Sequence, residues 1–173
     1  MQLPFDITDP EKTHFSGHET FPFRYDWLRK VLSNRDKFED WKNSETDSYV
    51  ENAMATYGVG KNMVRSMHHW AEVTGAAERP DEDFLITPFG KKVLLETDPF
   101  LNSVSTIWAL HWKIATNFSR ATTWYWLFNV YPGAIINSRT AATELKKYGT
   151  AIGWKMVSEN TLKRDIECFV RCY

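Results

Sequence analysis

Tyr57-Gly58-Val59-Gly60-Lys61-Asn62-Met63-Val64-Arg65-Ser66-Met67-His68-His69-Trp70 reads as a turn running into a helix. Gly58 is placed to end a preceding helix, because the left-handed residue past a helix C-terminus is least strained as glycine. Beyond the turn, Met63, Val64, Met67, Trp70 and Ala71 recur at the one-sided spacing of a helix docked on a core. Lys61, Asn62, Arg65, His68 and His69 fall on the other side, with side chains suited to phosphate oxygens and base edges. Ile86-Thr87-Pro88-Phe89-Gly90-Lys91 then reads as the returning strand of a hairpin that enters another helix at Lys91 to Leu95. Helix, glycine turn, helix and hairpin in that order predict a winged helix, and make double-stranded DNA the first partner to consider.

Composition sets limits on that reading. The chain of 173 residues is long enough for one domain or two small ones, and 15% aromatic against 25% charged residues is the composition of a folded protein. A net charge of −1 and a pI near 6.5 supply no global attraction to a polyanion, so contact with DNA requires a local basic face. Cys168 and Cys172 lie one helical turn apart, a poor geometry for a disulfide, and read as free thiols in a reducing compartment. The N-terminus carries no signal-peptide pattern, and the richest apolar stretch, Thr123 to Tyr131, is well short of a membrane span. A soluble, cytoplasmic protein without a membrane partner is expected, and homo-oligomerisation is left open.

Along the chain, residues 1–20 read as extended or irregular. Pro22 suits the first position of a helix whose buried stripe is Phe23, Trp27, Leu28 and Val31. Residues 33–48 read as a loop or short helix anchored by Phe38 and Trp41, followed by a helix from about Asp47 to Tyr57. Glu78-Arg79-Pro80-Asp81-Glu82-Asp83 is the expected tip of the wing, and it is acidic. From Ser103 to Thr116 an inward stripe of Val104, Ile107, Trp108, His111, Trp112 and Ala115 is expected, with Trp108, Trp112, Trp124 and Trp126 as core residues and His111 as a satisfied core histidine. Ala121 to Tyr131 is apolar nearly all round and reads as a central buried helix. Ser138 to Gly149, with Ala141, Ala142 and Leu145 inward, and a helix capped by Ser158, with Leu162, Ile166, Phe169, Val170 and Tyr173 inward, look like a second helix-turn-helix. The fold class is therefore mostly α: two winged-helix or helix-turn-helix-like units with a small β wing, a first over 1–97 and a second over 98–173. The second ends before any wing, which predicts that the chain is a piece of a longer protein.

Three strings carry a resemblance: Phe15-Ser16-Gly17-His18-Glu19-Thr20-Phe21-Pro22-Phe23-Arg24, Gly58-Val59-Gly60-Lys61-Asn62-Met63-Val64, and Ser158-Glu159-Asn160-Thr161-Leu162-Lys163-Arg164-Asp165. With Leu110-His111-Trp112 and Thr123-Trp124-Tyr125-Trp126 between them, the chain resembles the SspB-type family of Ssp DNA phosphorothioation defence systems from about residue 14 to 173. The resemblance implies a DNA-nicking endonuclease that hydrolyses a phosphodiester with a divalent metal such as magnesium. It also implies partner proteins of the phosphorothioation cluster: a cysteine desulfurase, an ATPase and a sulfur-transferring protein.

For such chemistry the densest set of suitable groups is His18, Glu19 and Arg24, with His14 upstream. A histidine activates water, a glutamate holds a divalent ion and an arginine clamps a phosphate. The same string sits among Phe15, Phe21 and Phe23, so a structural role in which His18 and Glu19 orient the first helix is an equal reading. The DNA-binding candidates are Lys61, Asn62, Arg65 and His69 on the first unit, and Lys163 and Arg164, with Arg171, on the second. The rival to a DNA-acting protein is a non-enzymatic winged-helix adaptor that contacts partner proteins, in keeping with the neutral charge and acidic wing tip.

Overall fold

The computed structural model describes residues 9–38, 49–80 and 84–173. It is mostly helical, with a two-stranded antiparallel sheet. Packing groups Phe23–His111 into one compact unit and residues 9–22 with Trp112–Tyr173 into another. This grouping divides the chain within a helix. Residues 98–111 pack with the first helices, while residues 9–22 are drawn to the later ones by hydrogen bonds such as His14 N–H to the Thr122 hydroxyl at 2.8 Å.

In the unit Phe23–His111, α1 spans Tyr25–Leu32 and buries Trp27, Leu28, Val31 and Leu32. Pro22 is not its first residue, because Arg24 is extended (φ −133°) and is the N-cap. Phe38 is buried, whereas Trp41 lies outside the described residues. Helix α2, Tyr49–Tyr57, ends at Gly58, whose φ of 65° lets Gly58 and Val59 both donate to the Met54 carbonyl. Lys30 Nζ donates to the Tyr57 carbonyl at 2.9 Å, placing a cation from α1 on the C-terminal end of α2. Helix α3, Lys61–Val73, buries Val64, Met67, Trp70, Ala71 and Val73. His68 is a correction to the outward face: it lies inside, edge-on to the Phe38 ring, tilted against the Phe84 ring and 3.2 Å from the Tyr57 hydroxyl. Strands β1 (Ala77–Glu78) and β2 (Leu85–Ile86) pair with Ala77 opposite Ile86. The acidic tip residues Asp81, Glu82 and Asp83 lie outside the described residues. A π-type helix, Gly90–Thr97, closes with Asp98 N–H on the Val93 carbonyl. Gly90 admits no side chain there, because the Ala76 carbonyl stands where a Cβ would be.

Helix α4, Val104–Thr116, turns a different face inward from the one expected. Thr106, Leu110 and Ile114 are buried, while Val104, Trp108 and Trp112 are exposed. The two stripes are two residues out of phase, about 200° of rotation. On a helix with apolar groups all round, the spacing alone does not choose between them. His111 is half-buried, with its ring edge against Trp108.

In the other unit, α5 (Thr122–Asn129) is buried from Thr122 to Leu127. Helix α6 (Ser138–Ala151) is capped by the Asn137 side chain and packs on α7 (Glu159–Val170), which Ser158 caps. Gly153, with φ 85°, turns the chain between them over the buried Trp154 ring. Leu162, Ile166 and Phe169 point inward as expected, but Val170 and Tyr173 are exposed and their place in the buried face is taken by Asp165 and Cys168.

Candidate functional site

The outer face of α3 is laid out by the glycine turn before it. Gly60 is the extended N-cap, so Lys61 and Asn62 open the helix at its exposed end. Lys61 and Arg65, four residues apart, share one exposed side, opposite the buried Val64 and Met67. His69 is half-buried, with its ring 5.5 Å from that of Trp70. The structure thus brings Lys61, Asn62 and Arg65 to one face and puts His69 at its edge.

The loop Ser16–Thr20 has an unusual backbone. Ser16 (73°), Gly17 (87°), Glu19 (48°) and Thr20 (65°) all have positive φ, and for β-branched Thr20 this is a strained conformation. Such a loop persists only where its surroundings over-determine it, and here Asp165 of α7 does much of the holding. Its Oδ2 accepts from Ser16 N–H at 3.1 Å and from the Thr123 hydroxyl at 2.9 Å, and its Oδ1 lies 2.9 Å from His18 Nε2. Thr20 N–H donates to His18 Nδ1 at 3.0 Å, so Nδ1 is the acceptor and the ring proton sits on Nε2, where it is donated to Asp165. Arg171 Nη2 closes the far side on the Thr20 carbonyl at 2.6 Å.

His18 and Asp165 are each 1% exposed, and both ring nitrogens of His18 are engaged within the protein. Glu19 is half-buried beside His18. Arg24 is exposed, belongs to the unit Phe23–His111, and lies over the Trp27 ring at 5.6 Å. Asp165, Thr123 and Ser16 complete this cluster; each lies within the strings that carry the resemblance, but none is among the predicted site residues. One signal is present: Asp165 falls on the buried stripe of its helix, between Leu162 and Ile166, where a charge requires partners.

On the outer side of α7, Arg164 is exposed and Lys163 pairs with Glu167 at 3.5 Å. The near-zero net charge conceals an uneven distribution: residues 112–173 contain nine Lys and Arg against four Asp and Glu. One of those four is the buried Asp165. Among the described residues, no three His, Cys, Asp or Glu side chains converge to hold a metal ion. His18 and Asp165 do not fit one, since their ring nitrogens and carboxylate oxygens are taken up by each other and by the loop. No helix among the described residues is long and apolar enough to cross a membrane.

Residues 15–173 match the family described as "Protein of unknown function (DUF4007)". The chain belongs to this family. The matched range takes in Ser16–Thr20, the α3 face and all of α7, so the features described above are set within the family's own extent. Two solved structures share the fold. A magnesium ion-bound SspB crystal structure aligns with TM-score 0.77 and 24% identity over 96% of this chain, and a second SspB crystal structure aligns with TM-score 0.76 and 24% identity. The chain spans about half the length of each, 51% and 52%. Among curated proteins no match is found.

Proposed function

We propose that this chain is the DNA-binding part of a DNA-nicking protein in a phosphorothioation-linked defence system. On this reading, α2, the Gly58 turn, α3 and the β1–β2 hairpin work as a winged helix, with α3 as the helix that enters the major groove. The observation that carries the reading is the exposed Lys61, Asn62 and Arg65 face, presented at the open end of a helix that follows a glycine turn. Lys61 and Arg65 contact phosphate and a guanine edge, and Asn62 reads adenine alongside. The cation excess of residues 112–173 adds a second basic region, with Arg164 and Lys163 as its α7 contacts. Similarity of fold to SspB, one structure of which is magnesium ion-bound, agrees with this assignment.

His18 and Asp165 take a positioning role here: they hold the Ser16–Thr20 loop and leave Glu19 as its half-buried carboxylate. No bond-breaking step is routed through a metal on this chain, which spans about half the length of the SspB structures it resembles.

The test is duplex binding by the Lys61→Ala/Arg65→Ala variant with its fold verified by circular dichroism. Affinity is expected to fall, and the slope of log affinity against log salt to flatten by about 0.9 for each phosphate no longer neutralised. An unchanged affinity and slope would transfer the α3 face to the rival reading, an adaptor for partner proteins of the cluster.

A further inference from the structure

The chain builds the same local frame twice, once in each unit. Each time a helix runs out at a glycine of positive φ, Gly58 at 65° and Gly153 at 85°, and a second helix follows after a turn. Counted from the N-caps Gly60 and Ser158, the fourth residue of each second helix is buried and apolar, Val64 in α3 and Leu162 in α7, and so is the eleventh, Ala71 and Phe169. The two helices are therefore in the same phase, and in both the second residue is an exposed asparagine, Asn62 and Asn160. Asparagine is a poor choice inside a helix, because its amide competes for backbone groups, and it is favoured where it can cap. Neither one caps its helix. Gly60 holds that position in α3, and in α7 the Ser158 hydroxyl accepts from Thr161 N–H at 3.2 Å. Among the described residues neither asparagine has a hydrogen-bond partner for its side chain. An exposed arginine stands about one turn further on in each helix, Arg65 and Arg164. The carboxylates of α7 have local uses: Glu159 suits the positive end of the helix dipole, and Glu167 pairs with Lys163 at 3.5 Å.

We propose that Asn62 and Asn160 are matched base readers, and that the chain recognises duplex DNA carrying two separate elements, each containing an adenine. A carboxamide donates and accepts in one plane, which is the pattern that adenine N7 and N6 present in the major groove, and an arginine beside it reaches a phosphate or a guanine edge. The segments 61–65 and 159–164 share little besides this asparagine, the buried residue two places on and the cation. A protein partner gives no reason for the same free amide at the same position of two otherwise dissimilar helices, whereas a repeated base contact does. The inference rests on the duplex-binding reading of α3 and extends it to a bipartite target.

The experiment uses the whole chain and a pool of duplexes with about thirty randomised base pairs, long enough for two elements. Sequencing of the bound fraction should show two enriched elements, each holding an adenine. Asn62→Ala should lose the adenine preference of one element and Asn160→Ala that of the other. Each variant should bind the selected duplex about tenfold more weakly, with an unchanged salt slope because no charge is removed. Replacing one element's adenine by 7-deazaadenine, which lacks the N7 acceptor, should weaken the wild-type chain and leave the matching variant indifferent. A merely structural role for either asparagine would not produce that pairing. A single enriched element, an adenine preference that survives Asn160→Ala, or duplex binding without sequence preference overturns the proposal and leaves the duplex-binding reading standing. Absence of duplex binding overturns both.

Discussion

His18 Nε2 donates to Asp165 Oδ1 at 2.9 Å across 147 positions of sequence, and this bond joins a strained loop near the start of the chain to the buried face of α7. Asp165 also receives Ser16 N–H and the Thr123 hydroxyl, so three elements depend on one carboxylate. Asp165→Ala would leave three donors unmatched, His18 Nε2 and the Thr123 hydroxyl of them buried, with an expected cost of about 3–5 kcal/mol. Thr123→Val removes a single hydrogen bond and should cost about 1–2 kcal/mol. Urea denaturation of both variants checks the ordering; equal costs would mean that Asp165 holds the loop no more firmly than one hydroxyl does.

Stability should decline on mild acidification because of His68. Burial pushes its pKa from the ordinary 6.5 down to about 3, and the positive charge of Arg79 adds to the effect. The hydroxyls of Tyr49 and Tyr57 face the ring. The unfolded chain takes up a proton below pH 6.5 while the folded chain refuses it until about pH 3, so stability is complete above 6.5 and falls across that window. The slope contributed approaches about 1.4 kcal/mol per pH unit. Denaturation midpoints between pH 7 and 5 should show it, and His68→Gln should flatten the dependence.

Gly90 should tolerate no side chain. A Cβ there collides with the Ala76 carbonyl, a backbone group that cannot swing aside, and Gly90→Ala should cost about 3 kcal/mol or more. Gly58→Ala meets open space and suffers only from its φ of 65°, about 1–2 kcal/mol. Thermal melts of the two variants separate the collision from the backbone strain.

The tryptophans should divide into two classes. Trp70 is fully buried and Trp126 nearly so; Trp70→Ala and Trp126→Ala should each cost about 3–5 kcal/mol through lost transfer energy and a residual cavity. Trp108→Ala and Trp112→Ala should change stability by no more than about 0.5 kcal/mol, since both rings already stand mostly in water. A large drop in either exposed variant would show that its ring is covered in solution.

Local signals make much of this protein legible from its letters. The Gly58 turn, the inward faces of α1 and α3, the Ser158 cap and the burial of Trp124 and Trp126 follow from spacing and backbone preference, which act within a few residues and are written in neighbouring positions. Three features were settled only by tertiary packing. Helix α4 is apolar on opposite sides, so its partners rather than its period chose Thr106, Leu110 and Ile114 over Trp108 and Trp112. His68 was drawn inside by an aromatic box of Phe38, Tyr49, Tyr57 and Phe84, contributed by segments distant in sequence. The pairing of His18 with Asp165 could not be seen in either string alone, because a hydrogen bond between distant residues depends on where the fold brings their atoms together, and spacing along the chain records only which residues share a face.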